Sequence, residues 1–219
     1  MKEKMNFDKI MKILEKEYEK LDSPVVTLIA ETHKNPFMVL ISTLISLRTR
    51  DEVTIEVCRD LFEILKEPID YKKLTIEELE NIIKKCGFYR NKARTIYDIC
   101  KTLVEEYDSI VPNDIDELLK FKGVGRKTAN LVLSEGYNLP GMCVDVHVHR
   151  ISNRLGVLKS KTPDETELIL RKILPIDYWN NYNTYLVAYG QKICRPISPH
   201  CSNCKLKDIC KRVGVKTSR

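Results

Sequence analysis

A lysine and an aspartate eighteen residues apart, Lys127 and Asp145, are the side chains of this 219-residue chain best placed to do chemistry on another molecule. Lys127 follows Gly123-Val124-Gly125-Arg126, and Asp145 stands in Val144-Asp145-Val146-His147. Around Lys127 the pattern is two short helices joined by a Gly-x-Gly turn, a helix-hairpin-helix. Ile115, Leu118, Leu119 and Phe121 fall at helical intervals, the glycines interrupt, and Ala129, Val132 and Leu133 resume on one side. Glycines let the backbone turn tightly and approach another molecule. The N–H groups at the start of the second helix lack intrahelical partners and sit at the positive end of the dipole, so they suit an anion such as a nucleic-acid phosphate. An amine beside other cations and partly desolvated has its charged form disfavoured and gains nucleophilic character. A carboxylate near it stabilises cationic character in a sugar ring or moves protons. The plainer readings are a phosphate-binding lysine and an aspartate that caps a helix beginning at Val146.

A second group is the run Cys194, Cys201, Cys204 and Cys210, spaced C-x6-C-x2-C-x5-C within seventeen residues. Thiolates are soft ligands, and four in one compact loop suit a tetrahedral zinc or an iron–sulfur cube. Zinc ribbons usually carry two C-x-x-C knuckles, whereas this run has one. The other four cysteines, Cys58, Cys86, Cys100 and Cys143, are scattered and read as small apolar residues. His147 and His149, two apart on a helix, point to different faces and make no paired metal site. His200 reads as exposed loop.

Helices must position these groups. Residues 2 to about 20 form an amphipathic pattern with Phe7, Ile10, Met11, Ile13 and Leu14 as its stripe. After a break at Asp22-Ser23-Pro24, an apolar helix begins at Asn35-Pro36 with proline in its first turn. It ends in the polar corner Arg48-Thr49-Arg50-Asp51, followed by a helix from Glu52 to about Leu65. Thr75-Ile76-Glu77-Glu78 is a capping box that opens a helix to about Lys85. The glycine turn Cys86-Gly87-Phe88-Tyr89 sets two aromatics amid cations before a helix from about Asn91 to Tyr107. Past Asp145 a helix stops at Gly156. Thr162 and Pro163 open another to about Leu174, and a last one runs from about Tyr178 to Lys192, delivering the chain to the cysteines.

Composition agrees with an all-α protein: aromatics are 7% of residues, and Leu, Ile, Lys and Glu are plentiful. A hydrophobic share of 43% is enough for a core, and the length suits one large domain or two modest ones. The net charge of +6 fits nucleic-acid binding, and its distribution sharpens that reading. Lys84 to Arg94 carries five basic residues and no acid, and Lys205 to Arg219 has six Lys or Arg against one Asp. No apolar run reaches membrane-spanning length and no signal-peptide pattern opens the chain, so an intracellular protein of the cytoplasm and nucleoid is expected, with no membrane partner and as a monomer. Cysteines in such a compartment are poor candidates for disulfides.

Gly-Val-Gly-Arg-Lys-Thr-Ala-Asn (Gly123 to Asn130), followed by Asp145 in Val-Asp-x-His, strongly resembles the endonuclease III family of base-excision DNA glycosylases. The x6, x2, x5 cysteine spacing matches that family's four-iron, four-sulfur loop, and the order of motifs agrees over nearly the whole chain. The resemblance implies a two-lobed all-α helix-hairpin-helix glycosylase fold with DNA in the cleft. A six-helix lobe would span 23–138, and residues 1–22 and 139–219 would form the second lobe with the cluster loop 194–210. It implies that Lys127 is the nucleophile, that Asp145 is its catalytic partner, and that Cys194, Cys201, Cys204 and Cys210 hold a 4Fe-4S cluster, with zinc as the alternative. Lys122, Gly123, Val124, Gly125 and Arg126 would contact the DNA backbone. Phe88 falls where the family has an apolar wedge that fills the gap left by a flipped nucleotide. Arg48 falls where many relatives carry a glutamine that enters the DNA beside the extruded base. Lys122 replaces the usual proline, and Val146 the usual threonine.

The implied activity is that of a bifunctional DNA glycosylase and abasic-site lyase on double-stranded DNA, with oxidised pyrimidines as the family's expected lesions. Three rivals stand beside it. A monofunctional uracil or G:T-mismatch glycosylase would use Asp145 to activate water, but such relatives normally lack the lysine. A non-catalytic DNA-binding module would use the hairpin as a plain backbone anchor, and a zinc-stabilised scaffold would need the cysteines alone.

Overall fold

The structure, a computed structural model, describes residues 7–219. All regular elements among them are helical, with no strand. The α-helices are α1 (Phe7–Tyr18), α2 (Val25–His33), α3 (Pro36–Ser46), α4 (Asp51–Phe62), α5 (Ile76–Ile83) and α6 (Tyr89–Glu106). They continue with α7 (Ile115–Leu118), α8 (Arg126–Leu131), α9 (Val146–Leu155), α10 (Pro163–Ile173) and α11 (Trp179–Lys192). Short 3-10 turns lie at Pro68–Lys73 and Ile176–Tyr178, and α8 runs on into a π-helical turn, Val132–Gly136. None of the helices is long and apolar enough to cross a membrane. Residues 2–6 of the expected first helix lie outside the described residues.

The chain forms two compact units, one from Val25 to Gly141 and one joining the residues up to Pro24 with Met142–Arg219. In the first, α3 is the centre. Every residue from Phe37 to Ile45 is buried, which is the expected fate of a helix that is apolar all round. Asn35 caps it through a 2.9 Å bond from the Phe37 N–H, and Pro36 occupies its first turn. α2 was not expected from the sequence. Val25, Val26 and Thr27 are β-branched and poor helix formers in isolation, but Val25, Val26, Ile29 and Ala30 are buried in the same core as α3, and that packing decides the helix. The capping box of α5 forms in both directions, with Glu78 N–H donating to Thr75 Oγ1 at 3.2 Å and Thr75 N–H to Glu78 Oε2 at 2.7 Å.

In the second unit the core gathers residues from both ends of the chain. Ile10, Met11 and Leu14 of α1 are buried with Val148, Ile151 and Leu155 of α9 and Tyr182, Leu186 and Tyr189 of α11. Rings reinforce the α1–α11 packing: Phe7 meets Tyr182 edge-on at 6.4 Å, and Tyr18 meets Tyr185 at 4.9 Å. Thr162 caps α10 by accepting from the Glu165 N–H at 3.2 Å.

Candidate active site, nucleic-acid surface and cysteine loop

The hairpin between α7 and α8 is anchored by its apolar residues and presents its polar ones. Asp114 caps α7, accepting from the N–H groups of Asp116 (2.9 Å) and Glu117 (3.1 Å). Leu118, Phe121, Val124 and Ala129 are buried in the core of the Val25–Gly141 unit. Lys122, Gly123, Gly125 and Arg126 are exposed between them, and Lys127 is half-buried. Gly123 has φ +89°, and a Cβ there would lie 2.7 Å from Thr95 Cγ2 on α6, so conformation and close packing both demand glycine. Gly125 differs: a Cβ would meet nothing within 4 Å. It is the N-cap of α8 and brings no side-chain cap, so that helix starts on an exposed backbone flanked by Lys122 and Arg126.

Asp145 belongs to the other unit, just past the boundary at Gly141. It is half-buried, and its Oδ1 caps α9 by accepting from the N–H groups of His147 (2.8 Å) and Val148 (2.9 Å). The helix-cap reading of this residue is thus part of its structure, and Oδ2 lies outside those two bonds. His147 Nδ1 is 3.1 Å from Arg150 Nη2, while His149 Nδ1 pairs with Thr166 Oγ1 at 2.7 Å. The two histidines make separate structural contacts.

Arg48 and Phe88 are brought together. Arg48 follows the C-cap of α3 and Phe88 is the N-cap of α6, and the Arg48 guanidinium carbon lies 5.2 Å from the centroid of the Phe88 ring. Phe88 is 61% exposed, so its ring is not core. Lys92, which the sequence reading passed over, is buried beneath the pair. The signal was available: Lys92 occupies the same helical face as Ile96 and Ile99, where a solvated lysine has no place.

The four cysteines of the terminal loop line one small cavity of about 20 Å3 together with Arg154, His200 and Arg212. His200 is thus half-buried at that cavity rather than free in an exposed loop. Donors already point at the sulfurs. Tyr189 Oη donates to Cys204 Sγ at 3.2 Å, Arg154 Nη1 to Cys194 Sγ at 3.5 Å and the Arg212 N–H to Cys210 Sγ at 3.4 Å. Arg154 also holds the loop through the carbonyls of Arg195 (2.7 Å) and Pro196 (2.6 Å). Burial pushes the Cys204 and Cys210 thiols up. Among the described residues no group of three His, Cys, Asp or Glu is placed to hold a single metal ion. Four thiols lining one pocket, three of them already approached by donors, are a donor set that suits a soft metal group. Cys58, Cys86, Cys100 and Cys143 are buried elsewhere. Burial pushes Cys58 and Cys100 each up to about 12.

Residues 41–176, more than half of the chain, match the family described as HhH-GPD superfamily base excision DNA repair protein. Endonuclease III of Thermotoga maritima is 48% identical over 194 residues, covering 88% of this chain and 91% of that protein. A solved non-covalent endonuclease III–DNA complex superposes with a TM-score of 0.85 at 36% identity, covering 97% of each chain. A trapped endonuclease III–DNA covalent intermediate gives a TM-score of 0.77 at 40% identity, covering 81% of this chain and 84% of that one.

Proposed function

The chain belongs to the endonuclease III family of HhH-GPD base excision DNA repair proteins, and we propose that it is a DNA glycosylase with abasic-site lyase activity on double-stranded DNA inside the cell. The observation that carries the reading is Lys127, half-buried in the first turn of α8 directly behind the turn that exposes Gly123, Gly125 and Arg126. There an amine meets a sugar while the hairpin backbone holds a phosphate. That a 40%-identical endonuclease III has been trapped as a covalent DNA intermediate supports the same chemistry.

The damaged nucleotide, an oxidised pyrimidine on this reading, leaves the stack, and the Phe88 ring fills the space, offsetting part of an unstacking cost of a few kcal/mol. Lys122, Arg126 and the Gly123-Val124-Gly125 backbone hold the phosphates, with Arg48 beside the vacated position. Lys127 Nζ attacks C1′ as the glycosidic bond breaks, and the base leaves with that bond's electron pair and takes up a proton. The Asp145 carboxylate stabilises the cationic character of the sugar and accepts the proton released by the amine. Ring opening yields an imine between Lys127 and C1′. Loss of a C2′ proton then expels the 3′ phosphate oxygen, cutting the strand 3′ to the abasic site, and hydrolysis of the imine frees Lys127.

Cys194, Cys201, Cys204 and Cys210 would hold a 4Fe-4S cluster, with zinc as the alternative; their x6, x2, x5 spacing and their shared pocket support that reading. The group would supply structure, cross-linking a loop that carries exposed Arg195, Lys205 and Lys207 toward DNA.

The test is borohydride trapping on a duplex with one thymine glycol. Wild type is expected to give a covalent protein–DNA adduct and Lys127→Gln none. Base release without an adduct would replace the lyase by the water-activating, monofunctional mechanism.

A further inference from the structure

Arg48 and Phe88 come from loops far apart in sequence, and both sit in the left-handed backbone region, at φ +55° and +58°. A side chain is strained there, so the surroundings must hold each residue in place. Arg48 occupies the position just past the C-cap Leu47 of α3, where glycine is the common occupant. Phe88 begins α6 with no side-chain capping bond.

Lys92 links the two loops, through its backbone to Phe88 and through its side chain to the residues flanking Arg48. Its backbone N–H donates to the Phe88 carbonyl at 3.1 Å, closing the first turn of α6. Its side chain is 9% exposed, and Nζ donates to Ile45 O (2.6 Å), Leu47 O (2.7 Å) and Thr49 Oγ1 (2.8 Å). An ammonium has three donors, and all three are used. Ile45 O and Leu47 O belong to the C-terminal end of α3, which lacks intrahelical partners and carries the negative end of the dipole. Leu47 and Thr49 are the two chain neighbours of Arg48. Gly87 closes the clasp from the other side, since a Cβ there would lie 2.9 Å from the Arg48 carbonyl oxygen.

We infer that Lys92 is a positioning residue that locks Arg48 and Phe88 into one stacked cation–aromatic unit, and that this unit enters the duplex as a single piece. The Phe88 ring fills the gap while the guanidinium stacked on it faces the base left unpaired on the opposite strand. The inference rests on the base-flipping reading given above and adds to it the linkage between the two loops. Lys92 itself touches no DNA.

The experiment uses a duplex with a preformed abasic site and 2-aminopurine opposite it, comparing wild type, Lys92→Met, Phe88→Ala, Arg48→Ala and the double variant Lys92→Met/Phe88→Ala. Lys92→Met is expected to raise KM roughly tenfold with a far smaller fall in kcat. Its 2-aminopurine signal on binding is expected to drop to that of Phe88→Ala, and the double variant to be no worse than Phe88→Ala alone. Effects of Lys92→Met and Phe88→Ala that multiply would overturn the inference, because a residue acting through Phe88 has nothing left to lose once the ring is gone. Should Phe88→Ala and Arg48→Ala leave KM and the signal untouched, the DNA-contact reading falls and takes the linkage with it. Should Lys92→Met fail to fold, Gly87→Ala displaces the Arg48 carbonyl without touching the buried ammonium. It is expected to raise KM in the same way, and an unchanged KM overturns the proposal.

Discussion

At the scale of the residue, Asp145 caps α9 with the same carboxylate that the proposed chemistry would use. Oδ1 is engaged by the His147 and Val148 N–H groups as the cap of α9. The proposed chemistry needs the charge, while the cap needs no more than an acceptor. Asparagine caps a helix as well as aspartate does. Asp145→Asn is therefore expected to stay within about 0.5 kcal/mol of wild type in urea unfolding, while single-turnover base excision falls by about a hundredfold or more. Asp145→Ala loses both roles and costs about 1 kcal/mol of stability besides. Turnover retained by Asp145→Asn would leave this residue a cap and nothing else.

At the scale of the element, the two hairpin glycines separate folding from recognition. Gly123→Ala forces a side chain into φ +89° and against Thr95, and is expected to destabilise by roughly 1–2 kcal/mol. Gly125→Ala meets open space and an ordinary φ of −95°, so stability should stay within about 0.5 kcal/mol. A methyl group on the exposed backbone nonetheless keeps a phosphate at a distance, so DNA affinity should fall. Equal affinity for Gly125→Ala and wild type would remove the hairpin from the interface.

The turn Pro68–Lys73 offers a pH test. Burial alone would raise Asp70, but the Lys73 ammonium at 2.7 Å and the N–H groups of Glu67 and Lys66, each at 2.9 Å, outweigh it and hold the carboxyl below its ordinary value. The unfolded chain therefore binds this proton first as pH falls, and the stabilisation is present at neutral pH and lost in acid. Asp70→Asn should cost about 1–2 kcal/mol at pH 7 by urea unfolding. The gap from wild type should close as pH drops through and below about 3.8, the ordinary carboxylate value. A gap that stays constant with pH would assign the loss to packing.

At the scale of the whole molecule, the core of one unit is assembled from segments at opposite ends of the chain, so α1 and α11 share it although most of the sequence lies between them. Its cysteine loop carries the exposed cations Arg195, Lys205, Lys207, Lys211 and Arg212, within a chain of net charge +6. Cys201→Ser is expected to lower bound iron well below about four per chain. With the loop released, DNA affinity at about 0.15 M salt should fall if, as proposed, these cations hold phosphates together. Cys100→Ser, buried in the other unit, should lose stability but keep its iron and its affinity. Iron retained by Cys201→Ser would exclude that thiol as a ligand.

Local chemistry is legible in the sequence alone. The Gly-x-Gly interruption, the caps Thr75, Asp145 and Thr162, the proline starts of α3 and α10 and the cysteine spacing are all set by interactions a few residues long. A cap accepts from an N–H two or three positions away, so its signature is sequential. What the tertiary structure alone decided depends on partners distant in the chain. Val25–His33 is a helix because α3 buries it, against its own propensity. Lys92 reaches Ile45, Leu47 and Thr49 more than forty positions away, and Arg48 meets Phe88 across a similar gap. Periodicity marks which face of a helix is buried, but not which carbonyl waits there. That pairing is fixed by how the helices pack, because a buried ammonium is stable only where packing brings three acceptors to it.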